Sequence, residues 1–240
     1  MVFNEKYRIG LEDCGADCLA TNKAILTIIE DVAGLHSSSV GLGLGEISEN
    51  NYAWVVLYWK VKVINRPHYN QVVDVYTWST NADKLFADRD FEITDDSGQI
   101  MAIATSRWIY MDLSRRRPAR ITEELMGKYQ SEPQKHVFED IISKSAIPDT
   151  ENIEIPYTVL RRDVDYLGHM HNISYLDAAY DVMPDDIYEK ADYNWFAIEY
   201  KKELMRSDKV MAHFYKLDKG CIITFNTDKI NAVITLKNED

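Results

Sequence analysis

Cysteine is scarce in this sequence, which has only Cys14, Cys18 and Cys221. An odd and sparse set of thiols does not build the disulfide framework of a small secreted protein, so we expect reduced thiols and a cytoplasmic protein. Cys14 and Cys18 would need a second pair of ligands to hold a metal ion, and no Cys or His pair at suitable spacing supplies it. The sequence therefore predicts no metal site.

Long apolar segments and positive charge are also lacking. No apolar run approaches the ~20 residues that span a bilayer, and the first ten residues, MVFNEKYRIG, have no signal-peptide core. The 27 Lys and Arg are outnumbered by 39 Asp and Glu, which gives a formal net charge of -12. This balance disfavours nucleic acids and anionic membrane surfaces as partners, and no membrane insertion is expected.

What is present is ordinary for a globular protein. The chain has 240 residues, of which 46% are hydrophobic and 28% charged. That composition supports a sizeable core, in one large domain or in two domains of about 100–120 residues.

The first half has the pattern strand, helix, four strands. Thr21 or Asn22 can cap a helix whose apolar face continues to near Ser39, where a glycine-rich stretch ends it. Residues 114–152 are polar, contain three prolines and two short helical patterns, and offer no strong strand. The predicted strands are residues 3–12, 52–64, 71–79, 85–94 and 100–112.

The second half repeats that order. A helix is expected from about Asn172, interrupted at Pro184. The predicted strands are residues 153–160, 195–204, 209–217, 221–226 and 232–236. Two copies of this order indicate an α+β tandem repeat, a double hotdog in which each antiparallel sheet wraps around a central helix. We place the repeats at residues 1–130 and 153–240, with a linker at 131–152.

Titratable side chains concentrate in one stretch, residues 161–176, which reads RRDVDYLGHMHNISYL. It lies between a strand pattern and a helix pattern, a place where loops often carry catalytic groups. Its polar residues, gathered around Gly168, are Asp163, Asp165, His169, His171 and Asn172.

Several segments resemble the acyl-ACP thioesterases of plants and bacteria. The N-terminal half contains EDVAGLHSSSVGL at 30–42, RPHYNQVVDVYTW at 66–78, LFADRDFEI at 85–93 and ATSRWIYMDLSRRRP at 104–118. The C-terminal half contains DVDYLGHMHN at 163–172, which is similar to the family pattern DxDxNxHVNN, and EYKKEL at 199–204. The resemblance implies a double hotdog enzyme that hydrolyses fatty acyl thioesters of acyl carrier protein without a metal or organic cofactor.

The resemblance also implies roles for three residues. Glu203 would polarise water, His169 would orient the water or stabilise developing charge, and Asp165 would support His169. Backbone N–H groups near residues 169–172, at the start of the helix, would face the carbonyl oxygen. Both carboxylates also have a simpler interpretation. Glu203 would be a surface carboxylate paired with a neighbouring Lys or Arg, and Asp165 would cap the turn.

Two positions depart from the family. Leu167 stands where the family has its catalytic Asn, and Leu204 stands where some plant members have a Cys. Asn172 is a helix cap in one interpretation and, in another, the nearest amide able to compensate for Leu167.

The first helix provides the candidate acyl-chain pocket. Its apolar face either lines a tunnel or is packed core, and His36 on the same helix is interpreted as a core or interface histidine. The candidate substrate-binding residues are Ile25, Ile28, Ile29 and Val32.

The predicted partner is acyl carrier protein, an acidic protein that basic clusters would steer. One cluster is Arg115–Arg117 with Arg120, and the other is Lys201, Lys202 and Arg206. The simpler interpretation is that both are solvent-exposed loops that bind no partner. A double hotdog can be a monomer or form a homodimer.

The function we expect is hydrolysis of acyl-ACP to fatty acid and free carrier protein. An acyl-CoA thioesterase, a non-catalytic acyl-binding protein and a hydratase-type hotdog remain as alternatives.

Overall fold

Helix α1 (Asn22–Ser39) begins and ends where its sequence pattern predicts. The computed structural model describes residues 1–239, and their side chains except those of Ser48 and Asn50. Oγ1 of Thr21 accepts a hydrogen bond from the backbone N–H of Ala24 at 3.1 Å and so caps the helix. Gly41 then takes a positive φ of 75°, which an ordinary residue adopts only at a cost, and the helix stops before it.

Two compact units make up the chain, Met1–Ile141 and Ile142–Asp240. The N-terminal unit contains an antiparallel sheet in the order β1-β3-β4-β5-β2, with β6 paired to β5. Its strands are β1 (Phe3–Arg8), β2 (Tyr52–Val63), β3 (Val72–Ala82), β4 (Phe86–Thr94), β5 (Ile100–Asp112) and β6 (Arg117–Pro118). The short helices α2 (Ile47–Asn50) and α3 (Glu123–Tyr129) complete it.

The core of the N-terminal unit lies under α1. The apolar face of the helix is buried together with large aromatic side chains of the sheet, among them Trp59, Trp78 and Phe91. Burial of an Ile side chain contributes about 1.5–3 kcal/mol, so this face is a large favourable contribution to folding of the unit.

Residues 131–141 hydrogen-bond to the sheet of the N-terminal unit. The backbone N–H of Glu132 donates to the carbonyl of Ser79 at 2.8 Å. The indole N–H of Trp78 donates to the carbonyl of Lys135 at 2.9 Å. These bonds fix the segment along β3.

The C-terminal unit repeats the design with a sheet in the order β8-β11-β10-β9-β7. Its strands are β7 (Ile153–Thr158), β8 (Trp195–Tyr200), β9 (Lys209–Leu217), β10 (Gly220–Asn226) and β11 (Ile230–Lys237). Helix α4 (Ser174–Asp181) buries Tyr175, Leu176, Ala178 and Ala179, and α5 (Asp185–Tyr188) restarts after Pro184. The predicted hotdog repeats, each an antiparallel sheet with one central helix, α1 or α4, are confirmed.

Several predicted boundaries are wrong. The strand predicted at 3–12 ends at Arg8, because a 3-10 turn follows at Leu11–Asp13. The strand predicted at 195–204 ends at Tyr200, the last residue of β8 paired with β11. The stretch 114–152, for which the sequence predicts no strong strand, contains the two-residue β6 paired with β5, which does not contradict that prediction.

Among the described residues, no helix has the length and apolar character needed to cross a membrane.

Candidate active site

Asp163 anchors the titratable loop. Its Oδ2 accepts hydrogen bonds from the backbone N–H of Leu160 at 2.6 Å and from the hydroxyl of Tyr157 at 2.9 Å. Burial, together with the hydrogen bond to Asp163, raises the pKa of the Tyr157 hydroxyl. The Asp163 carbonyl accepts from the N–H of His171 at 2.7 Å. With only 6% of its surface exposed, Asp163 holds the two ends of the loop together.

Asp165 shapes the turn that carries His169. Its Oδ1 accepts from the backbone N–H of Leu167 at 2.8 Å and of His169 at 3.1 Å. Gly168 has φ 83°, a conformation in which a β-carbon is strained. Asp165 therefore caps the turn, as one interpretation of the sequence predicted. It supports His169 by binding the backbone N–H of that residue.

His169 and Glu203 face each other. Nε2 of His169 lies 3.4 Å from Oε2 of Glu203, and 26% and 60% of these side chains are exposed. A backbone bridge between His169 and Met205 brings the two loops together, and the N–H of Met170 donates to the carbonyl of Leu204 at 2.7 Å. The pair is thus assembled by backbone pairing between two loops of the C-terminal unit.

The lysines beside Glu203 bind other carboxylates. Lys201 pairs with Glu199 at 3.3 Å, and Lys202 pairs with Asp228 at 2.6 Å. Glu203 itself lies beyond the end of β8, in the loop before β9, and not on a strand as predicted. Its carboxylate is directed to His169.

Three of the backbone N–H groups expected to face a carbonyl oxygen already donate within the loop. Those of His169, Met170 and His171 donate to Asp165 Oδ1, to the Leu204 carbonyl and to the Asp163 carbonyl, respectively. For these three residues the expectation is wrong, because the loop uses their N–H groups; for Asn172 and the first residues of the helix it stays a prediction.

Asn172 is not the cap of α4. The helix begins at Ser174 with Ile173 in the N-cap position, and Nδ1 of His171 accepts from the N–H of Ile173 at 3.3 Å. The carbonyl of Asn172 accepts from the hydroxyl of Tyr200 at 2.8 Å. The helix-cap interpretation of Asn172 is wrong.

The N-terminal unit contains the same loop without this pair. Asp13 Oδ2 accepts from the N–H of Gly10 at 2.7 Å, as Asp163 does from Leu160. The N–H of Ala20 donates to the carbonyl of Pro67 at 2.8 Å, as Met170 does to Leu204.

These matching bonds align His169 with Leu19 and Glu203 with Arg66. Leu19 forms a backbone bridge with His68, as His169 does with Met205. The guanidinium of Arg66 donates to the carbonyl of Ala20 at 2.9 Å. The loop therefore belongs to the fold, and the His–Glu pair is an addition made only in the C-terminal copy.

The four pocket candidates on α1, Ile25, Ile28, Ile29 and Val32, are all buried. His36, on the same helix, is fully buried and stacks on Phe3 with ring centroids 5.1 Å apart, as expected of a core histidine. Its Nδ1 lies 2.8 Å from a guanidinium nitrogen of Arg89, and burial together with Arg89 lowers the pKa of His36 to about 3.

The C-terminal unit contains one cysteine, Cys221. Cys221 is buried in β10, and burial raises its pKa to about 12. Across residues 1–239, no three His, Cys, Asp or Glu side chains are grouped to hold a metal ion.

Comparison with known proteins decides the family. The model of the acyl-ACP thioesterase N-terminal domain matches residues 1–129, and that of the C-terminal domain matches residues 147–238. The chain belongs to the acyl-ACP thioesterase family.

Relatives of this thioesterase family member include plant and bacterial proteins. A chloroplastic palmitoyl-acyl carrier protein thioesterase of Gossypium hirsutum is 26% identical over 100% of this chain and 61% of its own length. The solved putative oleoyl thioesterase of Lactobacillus plantarum is 24% identical with a TM-score of 0.86, covering 100% of this chain and 98% of that one. The 12:0-ACP thioesterase of Umbellularia californica is 23% identical with a TM-score of 0.86, covering 98% and 96%.

The two solved structures establish the fold. The chain spans about three fifths of the length of the curated relatives it matches.

Proposed function

We propose that the protein hydrolyses fatty acyl-ACP thioesters to a fatty acid and free carrier protein. The observation that carries the proposal is the 3.4 Å approach of His169 and Glu203 in the loop with the family's motif. Family membership supports the substrate class.

Glu203 is the proposed base. It removes a proton from water as the water oxygen attacks the thioester carbonyl carbon, and His169 orients that water and stabilises the developing charge. Collapse of the tetrahedral intermediate breaks the C–S bond, and the proton returns to the leaving thiolate. Because a thiol has a pKa near ~8.5, it leaves without strong acid assistance. Asp165 supports the pair by holding the His169 backbone, and Asn172 stays a candidate amide.

The acyl chain is proposed to lie beside α1. Because Ile25 and Ile28 have no exposed surface, a chain reaching them has to displace packed side chains. Each methylene that it buries contributes about 0.8 kcal/mol, so the depth of the pocket would select chain length.

Acyl carrier protein is proposed to dock on the arginine cluster, Arg115–Arg117 with Arg120. Arg115, Arg117 and Arg120 line an open cleft with Asp112, and Arg115 lies 3.8 Å from that carboxylate. In the other basic cluster, Lys201 and Lys202 are paired with Glu199 and Asp228. The arginine cluster therefore retains more positive charge for an acidic partner.

The test is a steady-state assay of acyl-ACPs and matched acyl-CoAs with wild type, Glu203→Gln and His169→Ala. The chain offers a matched control pair, since His213 lies 3.7 Å from Glu154, whose side chain is 61% exposed. We expect a loss of at least about 100-fold in kcat for the site variants and no loss for Glu154→Gln or His213→Ala.

Three results would replace this proposal. Turnover that survives both site substitutions removes the assignment of the pair. Equal or higher kcat/KM on acyl-CoA favours an acyl-CoA thioesterase, and tight acyl binding without turnover favours a binding protein. A cytoplasmic location and a homodimer stay predictions, to be checked by fractionation and by light scattering.

A further inference from the structure

Glu203 lies on a loop without regular structure, and the backbone pairing with the His169 loop is made by Leu204 and Met205, the residues that follow it. The buried side chain of Asn231, at the start of β11, contacts this loop. Its Nδ2 donates to the carbonyl of Glu203 at 3.3 Å and to that of Lys202 at 3.4 Å. Its Oδ1 accepts from the N–H and the hydroxyl of Thr227, both at 2.9 Å. Only 1% of the residue is exposed, so the amide is committed to these bonds.

The backbone of Asn231 holds the same loop. Its carbonyl accepts from the N–H groups of Lys201 at 2.8 Å and Lys202 at 3.1 Å. Side chain and main chain of one residue therefore bind three consecutive residues that end at Glu203.

The N-terminal unit shows what the fold alone requires at this position. There the carbonyl of Met101 accepts from the N–H groups of Ile64 at 2.8 Å and Asn65 at 3.0 Å. Met101 is the counterpart of Asn231, and Arg66 is the counterpart of Glu203. The backbone pattern thus forms with an apolar side chain, and the amide occurs in the copy that carries the His–Glu pair.

We propose that Asn231 is a positioning residue that fixes Glu203 relative to His169 by binding the carbonyls of residues 202 and 203. The inference rests on the proposed function, in which Glu203 is the base. Displacement of a base by about 1 Å can cost ~100-fold in rate, which gives a buried amide at this place a large effect.

Asn231 makes two sets of side-chain bonds: its Nδ2 binds the carbonyls of Lys202 and Glu203, and its Oδ1 binds Thr227. The variants Asn231→Met and Asn231→Asp test whether the first set positions Glu203. Asn231→Met installs the residue of the other repeat, and Asn231→Asp keeps an acceptor for Thr227 while it loses the two donors. We expect both to lower kcat on acyl-ACP by about 10- to 100-fold with KM changed less than about twofold. Thr227→Val removes the hydroxyl bonds to Asn231 and Asp228 but keeps the bond from the Thr227 N–H to Asn231, and it should retain kcat.

Hydrogen exchange supplies a readout that needs no activity. We expect faster exchange of the Lys202 and Met170 amides in both Asn231 variants, with the amides of β10 and β11 unchanged. If wild type is inactive on every thioester, the proposed function fails and exchange alone tests the positioning.

Wild-type kcat in either Asn231 variant that folds, or unchanged exchange at Lys202 and Met170, overturns the inference. An equal loss of kcat in Thr227→Val also overturns it, since turn closure would then explain the effect. If Asn231→Met does not fold, Asn231→Asp decides alone.

Discussion

The carboxylate of Asp165 binds the backbone N–H of His169, while the imidazole of His169 faces Glu203. The aspartate of the motif therefore shapes the loop, and the carboxylate that meets the ring comes from another segment. Because the two carboxylates have different roles, replacing Asp165 by its amide should affect kcat less than replacing Glu203 by its amide.

Asp165→Asn should retain at least about a third of the wild-type kcat, because an amide oxygen can still accept from the N–H groups of Leu167 and His169. Asp165→Ala removes both bonds, each worth about 1 kcal/mol, and should lower kcat by at least about tenfold. Steady-state kinetics with both variants checks this. If Asp165→Asn folds but is inactive, the negative charge of Asp165 itself takes part in catalysis.

Leu167 is half-exposed on a loop whose backbone is already held by Asp165, so the loop can accept an amide there. Leu167→Asn restores the family's residue and should raise kcat on acyl-ACP by about tenfold, since a placed amide stabilises charge in the transition state. Tyr166→Asn, at the exposed neighbouring position, is the control and should give no gain. Equal kcat in wild type and Leu167→Asn would contradict the expectation.

Ile28 is expected to limit acyl-chain length. Ile28→Val removes one methylene from the proposed pocket and should shift kcat/KM by about fourfold toward a longer chain, at a stability cost of about 0.5–1.5 kcal/mol. A panel of acyl-ACPs of increasing length measures the shift. Ile9→Val, a buried change elsewhere in the unit, should leave the preference unchanged; the same shift there would argue against the pocket.

His36 should make stability depend on pH. Its pKa is lowered to about 3 in the folded protein, against an ordinary value near ~6.5, so the unfolded chain binds one more proton between these values. The contribution is fully present above pH ~6.5 and falls by about 1.4 kcal/mol per pH unit as pH decreases toward 3.

Urea unfolding at several pH values between 4.5 and 6 measures this slope. His36→Gln keeps an acceptor for Arg89 but cannot titrate, so its slope should be smaller by one proton. Identical slopes in the two proteins would contradict the assignment.

The arginine cluster should act on the carrier protein and not on the acyl group. Arg115→Glu with Arg117→Glu should lower kcat/KM on acyl-ACP by about tenfold at low salt, and less as salt rises. Turnover of a neutral acyl-pantetheine thioester should be unchanged. Lys6→Glu, at a lysine paired with Asp74 at 2.9 Å, is the control, and an equal effect there would indicate a general charge effect.

Much of the fold could be predicted because it depends on local patterns. The 3.6-residue period of α1, its Thr21 cap and the glycines after Ser39 are all written in adjacent residues. The order of strands and helix in each half also follows from local alternation, and so does the presence of two repeats.

The site was predictable only in part. The motif names His169 and Asp165, but their sequence spacing cannot say that Asp165 binds a backbone N–H while Glu203 meets the ring. The sequence also predicts Glu203 on a strand, because the pattern of residues 195–204 is strand-like throughout. In the structure β8 stops at Tyr200, where its pairing with β11 ends.

The sequence by itself determined the composition class, the repeated order of elements and the residue types available for chemistry, since each of these depends on neighbours along the chain. The tertiary structure alone decided which of those residues meet. It paired His169 with Glu203, used the loop N–H groups to build the loop and placed Asn231 behind Glu203. Contacts between distant segments depend on register and loop closure, and neither is encoded in any single stretch of residues.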